Sequence, residues 1–248
     1  MGSLRPADRL IVALDFDNEQ GALDMVDKLK DRVRTFKVGS ELFTACGPKI
    51  VSLIQKRGCE VFLDLKFHDI PNTVARAATA AARLGVFMMN AHASGGEEMM
   101  RAAVEAVAAD AKNRAVPPPK IIAVTVLTNL DKNALKKTGV NVNIQLHVLR
   151  LSRLAERCGL DGVVASPMEA EALRRARGEE FLIVTPGVRP EWAASGDQRR
   201  FTTPAEAVKK GADYIVVGRP ITGVENPLIA CNRIIEEIKD AAVGDDEG

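Results

Sequence analysis

Residues 61–84 read Val-Phe-Leu-Asp-Leu-Lys-Phe-His-Asp-Ile-Pro-Asn-Thr-Val-Ala-Arg-Ala-Ala-Thr-Ala-Ala-Ala-Arg-Leu. The first five positions form a short, nearly continuous apolar run, as expected of a parallel strand buried on both faces. Pro71 then ends the extended chain and suits the first turn of a helix, where its fixed φ helps and its missing N–H costs nothing. The stretch therefore predicts one strand–turn–helix unit, with a helix over 71–84.

The same pattern recurs in both directions. Strand-like runs lie at 10–14, 35–38, 61–65, 87–90, 121–127, 162–165, 181–184 and 214–217. Helical segments are expected between them at 48–57, 97–112, 144–158 and 169–177, with a last one at 227–239. Asn18 can cap a further helix whose apolar positions Leu23, Val26 and Leu29 recur at threes. Thr203-Pro204 followed by Glu206 offers a cap, a first-turn proline and a capping-box acid. Eight strand–helix units over 248 residues average about 31 residues each, the size of a βα repeat with its turns. Strict alternation implies a parallel sheet, and eight repeats close a barrel, so the fold expected is α/β, a single (β/α)8 TIM barrel. A doubly wound open sheet is the alternative, but no G-x-G-x-x-G follows the first run. No linker divides the chain, and Pro117-Pro118-Pro119 reads as a stiff turn. One domain over 1–248 is expected, with short polar tails at 1–9 and 241–248.

Composition narrows the functions. With 34 Lys+Arg against 33 Asp+Glu the formal charge is +1, which disfavours a domain built to neutralise nucleic-acid phosphates. Aromatic residues make up only 4%, too few for a base-stacking platform. No apolar run is long enough to cross a bilayer. The four cysteines, Cys46, Cys59, Cys158 and Cys231, contain no C-x-x-C pair, and the N-terminus lacks the apolar core of a signal peptide; a reducing cytoplasm is the expected setting. Each cysteine is expected to be a small buried apolar residue. His68, His92 and His147 are too scattered for a metal cage, so no metal site is expected.

In a barrel of this kind chemistry gathers at the C-terminal ends of the strands. Those ends carry Asp15, Lys37, Asp64 and Lys66, then His68 and Asp69, Asn90 and His92, Thr128, Gly187 and Arg189, and Gly218 and Arg219. Asp64 and Lys66 are two apart, so both should face the barrel interior. Buried charges need partners, and Lys37 on the neighbouring strand is the obvious one. An alternating array of Lys37, Asp64, Lys66 and Asp69 would neutralise itself while presenting an ammonium to a reacting centre. A lone Asp-x-Lys is more often a surface ion pair. His68, His92 and His147 are expected in structural roles, and Asn90 receives none.

Phosphate binding has a separate signal. Gly187 and Gly218-Arg219 follow the seventh and eighth runs, where barrels often hold phosphate with backbone N–H groups and a cation. The plainer reading is a tight turn beside a surface arginine. Between Gly187 and Thr203 no clear pattern appears, although the stretch holds the sole tryptophan, Trp192, and Gln198; a loop of that length is expected to act either as a lid or as a passive surface excursion.

Together these residues carry a specific resemblance. Leu63-Asp64-Leu65-Lys66-Phe67-His68-Asp69-Ile70-Pro71-Asn72-Thr73 resembles the signature of the orotidine 5′-phosphate decarboxylase family. So do Ala13-Leu14-Asp15, Phe36-Lys37-Val38-Gly39, Thr125-Val126-Leu127-Thr128, Thr185-Pro186-Gly187-Val188-Arg189, Gly196-Asp197-Gln198 and Val217-Gly218-Arg219-Pro220, all in order. The resemblance implies loss of CO2 from orotidine 5′-monophosphate to give UMP in pyrimidine nucleotide synthesis, with no cofactor. It implies that Lys66 stabilises and protonates the C6 carbanion, that Asp64 lies near the departing carboxylate, and that Lys37 and Asp15 contact the ribose. Thr128 would meet the pyrimidine, Pro186 would line the wall near the carboxylate, and Arg189, Gln198, Gly218 and Arg219 would hold the phosphate. Asp69 and Thr73 would reach across a homodimer interface into the neighbouring site. Two other readings remain open. Magnesium-dependent sugar-phosphate decarboxylases and aldolases share Asp-x-Lys-x-x-Asp but carry an acid on the second strand where this chain has Lys37, a cation that would repel magnesium. A non-catalytic barrel that binds a phosphate ligand is the other.

Overall fold

The computed structural model describes residues 4–193 and 202–243. Eight strands close a barrel in chain order: β1 (Leu10–Ala13), β2 (Thr35–Gly39), β3 (Glu60–Phe67), β4 (Met88–His92), β5 (Lys120–Val124), β6 (Gly162–Val164), β7 (Leu182–Pro186) and β8 (Tyr214–Val217). Each strand pairs in parallel with its neighbours, and β1 pairs with β8 to close the ring. Parallel neighbours need a crossover, and the intervening helices supply it, which is why the sequence alternates as it does.

Two apolar layers follow from the period of two along each strand. Ile11, Phe62, Met88, Ile122, Leu182 and Tyr214 are among the residues filling the barrel interior. Residues of opposite parity, such as Val12, Leu63 and Met89, pack outward against the helices. Strands buried on both faces therefore read as unbroken apolar runs. Followed upward, interior parity turns from apolar to ionic or polar: Phe62 is succeeded by Asp64 and Lys66, and Met88 by Asn90.

The helix signals act as their chemistry dictates. Asn18 Oδ1 accepts from the Gly21 N–H at 2.8 Å at the start of the helix Glu19–Leu29, and Leu23, Val26 and Leu29 are buried. Thr203 caps the helix Pro204–Lys209 with the full reciprocal box to Glu206. Three short helices, Ser40–Cys46, Lys132–Lys137 and Arg219–Thr222, add to those expected.

The expected tails are shorter than 1–9 and 241–248. Pro6–Arg9 forms a 3-10 turn packed against β1, β8 and the last helix, and Leu4 lies against the interior cluster beneath the barrel. Arg9 donates from Nη1 to the Ala212 carbonyl at 3.1 Å. At the other end the helix Pro227–Val243 runs through position 241, where Ala241 is buried. These residues close the end of the barrel opposite the ionic rim. Cys59, Cys158 and Cys231 are buried and Cys46 is half-buried against the core; burial pushes the Cys231 thiol up to about 12, so it behaves as an apolar group.

Candidate active site

β1, β2 and β3 bring Asp15, Lys37, Asp64 and Lys66 together at the C-terminal mouth. Lys37 Nζ lies 3.0 Å from Asp15 Oδ1 and 3.4 Å from Asp64 Oδ2. Asp64 Oδ1 lies 2.7 Å from Lys66 Nζ. The charges alternate along the chain, so each buried ion has an opposite neighbour and the cost of removing it from water is offset. Side-chain exposure rises from 11% at Asp64 to 34% at Lys66, which leaves the second ammonium partly free toward the mouth.

The spacing of two accounts for Asp64 but not fully for Lys66. The register between β3 and β4 breaks between Leu63 and Phe67, and Lys66 has φ +55°, the left-handed region that a side-chain-bearing residue enters at a cost of roughly 1–2 kcal/mol. Such strain persists where surrounding contacts impose it. Here the Lys66 backbone N–H donates to Asn90 Oδ1 at 2.8 Å, and Asn90 Nδ2 donates to Asp64 Oδ1 at 2.7 Å. Asn90 is fully buried. No role for it was read from the sequence, yet a signal existed: a lone amide inside the apolar run 87–91, on the parity of Met88, must find polar partners within the barrel.

Asp69 is not part of the array within the chain. It lies on the exposed segment beyond β3, where its Oδ1 accepts from the Ile70 N–H at 2.7 Å. Thr73 is also exposed, in the first turn of the helix Pro71–Arg83. His68 and His92 stand with ring centroids 5.4 Å apart beside the mouth. Burial, then the neighbouring His68 and Lys66 charges, hold the His92 imidazole below the usual histidine range. Burial also lowers His147, on the helix Ile144–Arg157.

A cavity of about 260 Å³ opens over the array. Lys37, Asp64 and Lys66 are charged on its wall, Val124, Val164 and Val216 form apolar surface, and Thr128 and Pro186 lie at its edge. A second cavity of about 310 Å³ is lined by Arg189, Trp192 and Arg219. β7 leads from Pro186 in the first to Arg189 in the second, and β8 leads from Val216 to Arg219. Two glycines permit close approach at this rim. A Cβ on Gly39 would stand 3.0 Å from Lys37 Nζ, and one on Gly218 would stand 3.4 Å from Asp15 Oδ2. Gly187 has φ +78°, which favours glycine.

The base of the 187–203 loop is fixed by a bridge between Val188 and Thr202, with the Arg189 N–H donating to the Thr202 carbonyl at 3.1 Å. Glu191–Ala193 forms a 3-10 turn, and the Arg233 guanidinium stacks 4.4 Å over the Trp192 ring. Gln198, expected at the phosphate, lies outside the described residues.

A closed (β/α)8 barrel with an alternating Asp-Lys-Asp-Lys chain at its C-terminal mouth has the form of an enzyme barrel. Its relatives narrow the class. The Orotidine 5'-phosphate decarboxylase / HUMPS family model matches residues 8–234, and the chain belongs to that family. It is 50% identical over 239 residues to the orotidine 5′-phosphate decarboxylase of Saccharophagus degradans, covering 96% of this chain and 98% of that one. Identity to the enzyme of the same name from Moorella thermoacetica is 52% over 233 residues, covering 94% and 92%. The crystal structure of orotidine 5′-phosphate decarboxylase from Lactobacillus acidophilus matches with a TM-score of 0.81 at 37% identity, over 93% of this chain and 99% of that one.

Proposed function

We propose that the Asp15–Lys37–Asp64–Lys66 array carries out, without metal or cofactor, the decarboxylation of orotidine 5′-monophosphate to UMP and CO2 that this family and its relatives of about 50% identity assign to the chain. The observation that carries the mechanism is the salt bridge between Lys66 and Asp64 facing the cavity.

Breaking the bond between C6 and the carboxylate carbon leaves an electron pair in the plane of the pyrimidine ring, where the π system cannot take it. With no electron sink, stabilisation must come from a charge already in place. The Lys66 ammonium supplies it and then gives its proton to C6; solvent returns a proton to the amine. Asp64 holds the ammonium and adjoins the departing carboxylate. Lys37 and Asp15 take the ribose hydroxyls, Thr128 meets the pyrimidine, and Pro186 borders the leaving CO2. Arg189, Gly218 and Arg219, with Gln198 from the loop, hold the phosphate. Binding energy at that remote group closes the loop and excludes water, so it contributes to turnover as well as affinity.

A magnesium-dependent route fits these residues poorly. The Lys37 ammonium stands between Asp15 and Asp64, where a divalent ion would need oxygen ligands. Among the described residues no cluster of three or more His, Cys, Asp or Glu is arranged to hold a metal. Asp69 and Thr73, exposed beside Ile70, which is 67% exposed, complete the site of a second copy in a homodimer.

Lys66→Ala tests the assignment of the proton donor. Loss of both the stabilising charge and the acid lowers kcat about 10⁴-fold or more, while the melting transition stays cooperative. A folded Lys66→Ala protein with near-normal turnover would refute the role.

A further inference from the structure

We infer that Asn90 is a positioning residue for the reaction, holding the Lys66 backbone in its left-handed turn with one end of its amide and the Asp64 carboxylate with the other. The inference rests on the proposed roles of Lys66 and Asp64 and adds the group that sets their mutual geometry. Three observations carry it. Within the interruption of the β3–β4 ladder, the Lys66 N–H is satisfied by Asn90 Oδ1 at 2.8 Å. Asn90 Nδ2 reaches Asp64 Oδ1 at 2.7 Å, the same oxygen that receives Lys66 Nζ at 2.7 Å. Asn90 itself is completely buried, so water cannot replace either bond.

The chemistry of the two partners leaves few side chains that would serve. One is a donor and the other an anion, so the group between them must accept on one side and donate on the other, which a primary amide does in a fixed plane. A carboxylate would satisfy the Lys66 N–H but repel Asp64. An apolar side chain would strand both partners in the interior. Because both ends are engaged, the amide cannot rotate to relieve one without losing the other. The backbone turn that aims the Lys66 side chain and the oxygen that tethers its ammonium are thereby fixed to one rigid strand, β4. Residues assigned to the ribose, pyrimidine and phosphate sit on other strands, so a fault at Asn90 should fall on the chemical step rather than on binding.

The test compares wild type, Asn90→Leu and Asn90→Asp by kcat for orotidine 5′-monophosphate, by Kd for UMP, by the pH profile of kcat and by hydrogen exchange at the Lys66 amide. For Asn90→Leu the expected result is a fall in kcat of about a hundredfold, a Kd for UMP within about threefold of wild type, and loss of protection at the Lys66 amide while β4 amides keep theirs. For Asn90→Asp, two adjoining carboxylates raise one carboxyl pKa, so one proton is shared below that value. A protonated carboxyl can donate where the amide did, so kcat of this variant recovers as the pH falls, by about tenfold between pH 8 and pH 6 relative to wild type. A merely structural role would not produce that recovery. If Asn90→Leu fails to fold, the pH profile of Asn90→Asp decides alone. Near-wild-type turnover of folded Asn90→Leu, or an Asn90→Asp profile parallel to wild type, overturns the inference. Inactivity of wild type would instead strike the functional reading, and the Lys66 amide exchange would still decide whether Asn90 holds the turn.

Discussion

Lys37 is closely confined at the rim. Its ammonium lies between Asp15 and Asp64 and close to position 39, where a Cβ would stand 3.0 Å from Nζ and the ammonium would have to give way by a few tenths of an ångström. Gly39→Ala therefore displaces the end of a flexible side chain rather than backbone. The expected outcome is a kcat/KM lower by about tenfold with little change in melting temperature, measured by steady-state kinetics and calorimetry; unchanged kinetics would mean that the position of Lys37 is unimportant. His92 carries a second prediction. Its folded-state pKa is lowered from 6.5, so as pH falls the unfolded chain takes up the proton first and stability falls with it. His147 acts in the same direction. Between about pH 7.5 and 5.5 the melting temperature should decline, and His92→Gln should decline less; equal slopes would contradict the assignment. At this scale the sequence was informative wherever charge made the demand. Asp64, Lys66 and Lys37 were legible because buried ions need partners. Asn90 stands at a strand end but carries no role in the sequence, because a neutral amide in a strand announces only that it needs hydrogen bonds, and the two it makes depend on a ladder break that periodicity cannot register.

Strand β3 departs from its own period at the rim. A regular strand would aim Lys66 by parity alone, but the ladder break and the positive φ set its direction instead. The long helices were legible from caps and spacing, as at Asn18 and Thr203. Helices of four to seven residues, such as Arg219–Thr222 and Ser40–Cys46, complete too few turns for an apolar stripe to recur. In the 187–203 segment the sequence marked a loop, and the structure adds its fixed base and the stacking of Trp192 on Arg233. Trp192 lines the cavity that holds Arg189 and Arg219. As the sole tryptophan it should report occupancy there: titration with UMP should change its emission, saturating over the concentrations that inhibit turnover. An emission unaffected by saturating UMP would separate that cavity from the phosphate.

At the scale of the whole molecule, barrel closure was the most legible feature, because each of eight apolar runs had to be buried on both faces and each parallel pair needed a crossover. The sequence left open how the barrel's lower end is covered, since polar terminal segments read as tails although Pro6–Arg9 packs there. The proposed second copy is tested at this scale. Asp69 is exposed and makes no ion pair with the Lys37–Asp64–Lys66 chain of its own protomer, its Oδ1 accepting instead from the Ile70 N–H. Mixing Asp69→Ala with Lys66→Ala protein should therefore restore activity as subunits exchange, to about a quarter of wild type, because a hybrid dimer has one intact site. Absence of recovery despite demonstrated exchange would count against a shared site. Decarboxylation by a fixed charge array without metal is decided by following the absorbance of orotidine 5′-monophosphate with the purified protein in excess chelator. Undiminished turnover to UMP and CO2 is expected under those conditions; no turnover until magnesium is restored would rule out a metal-free array.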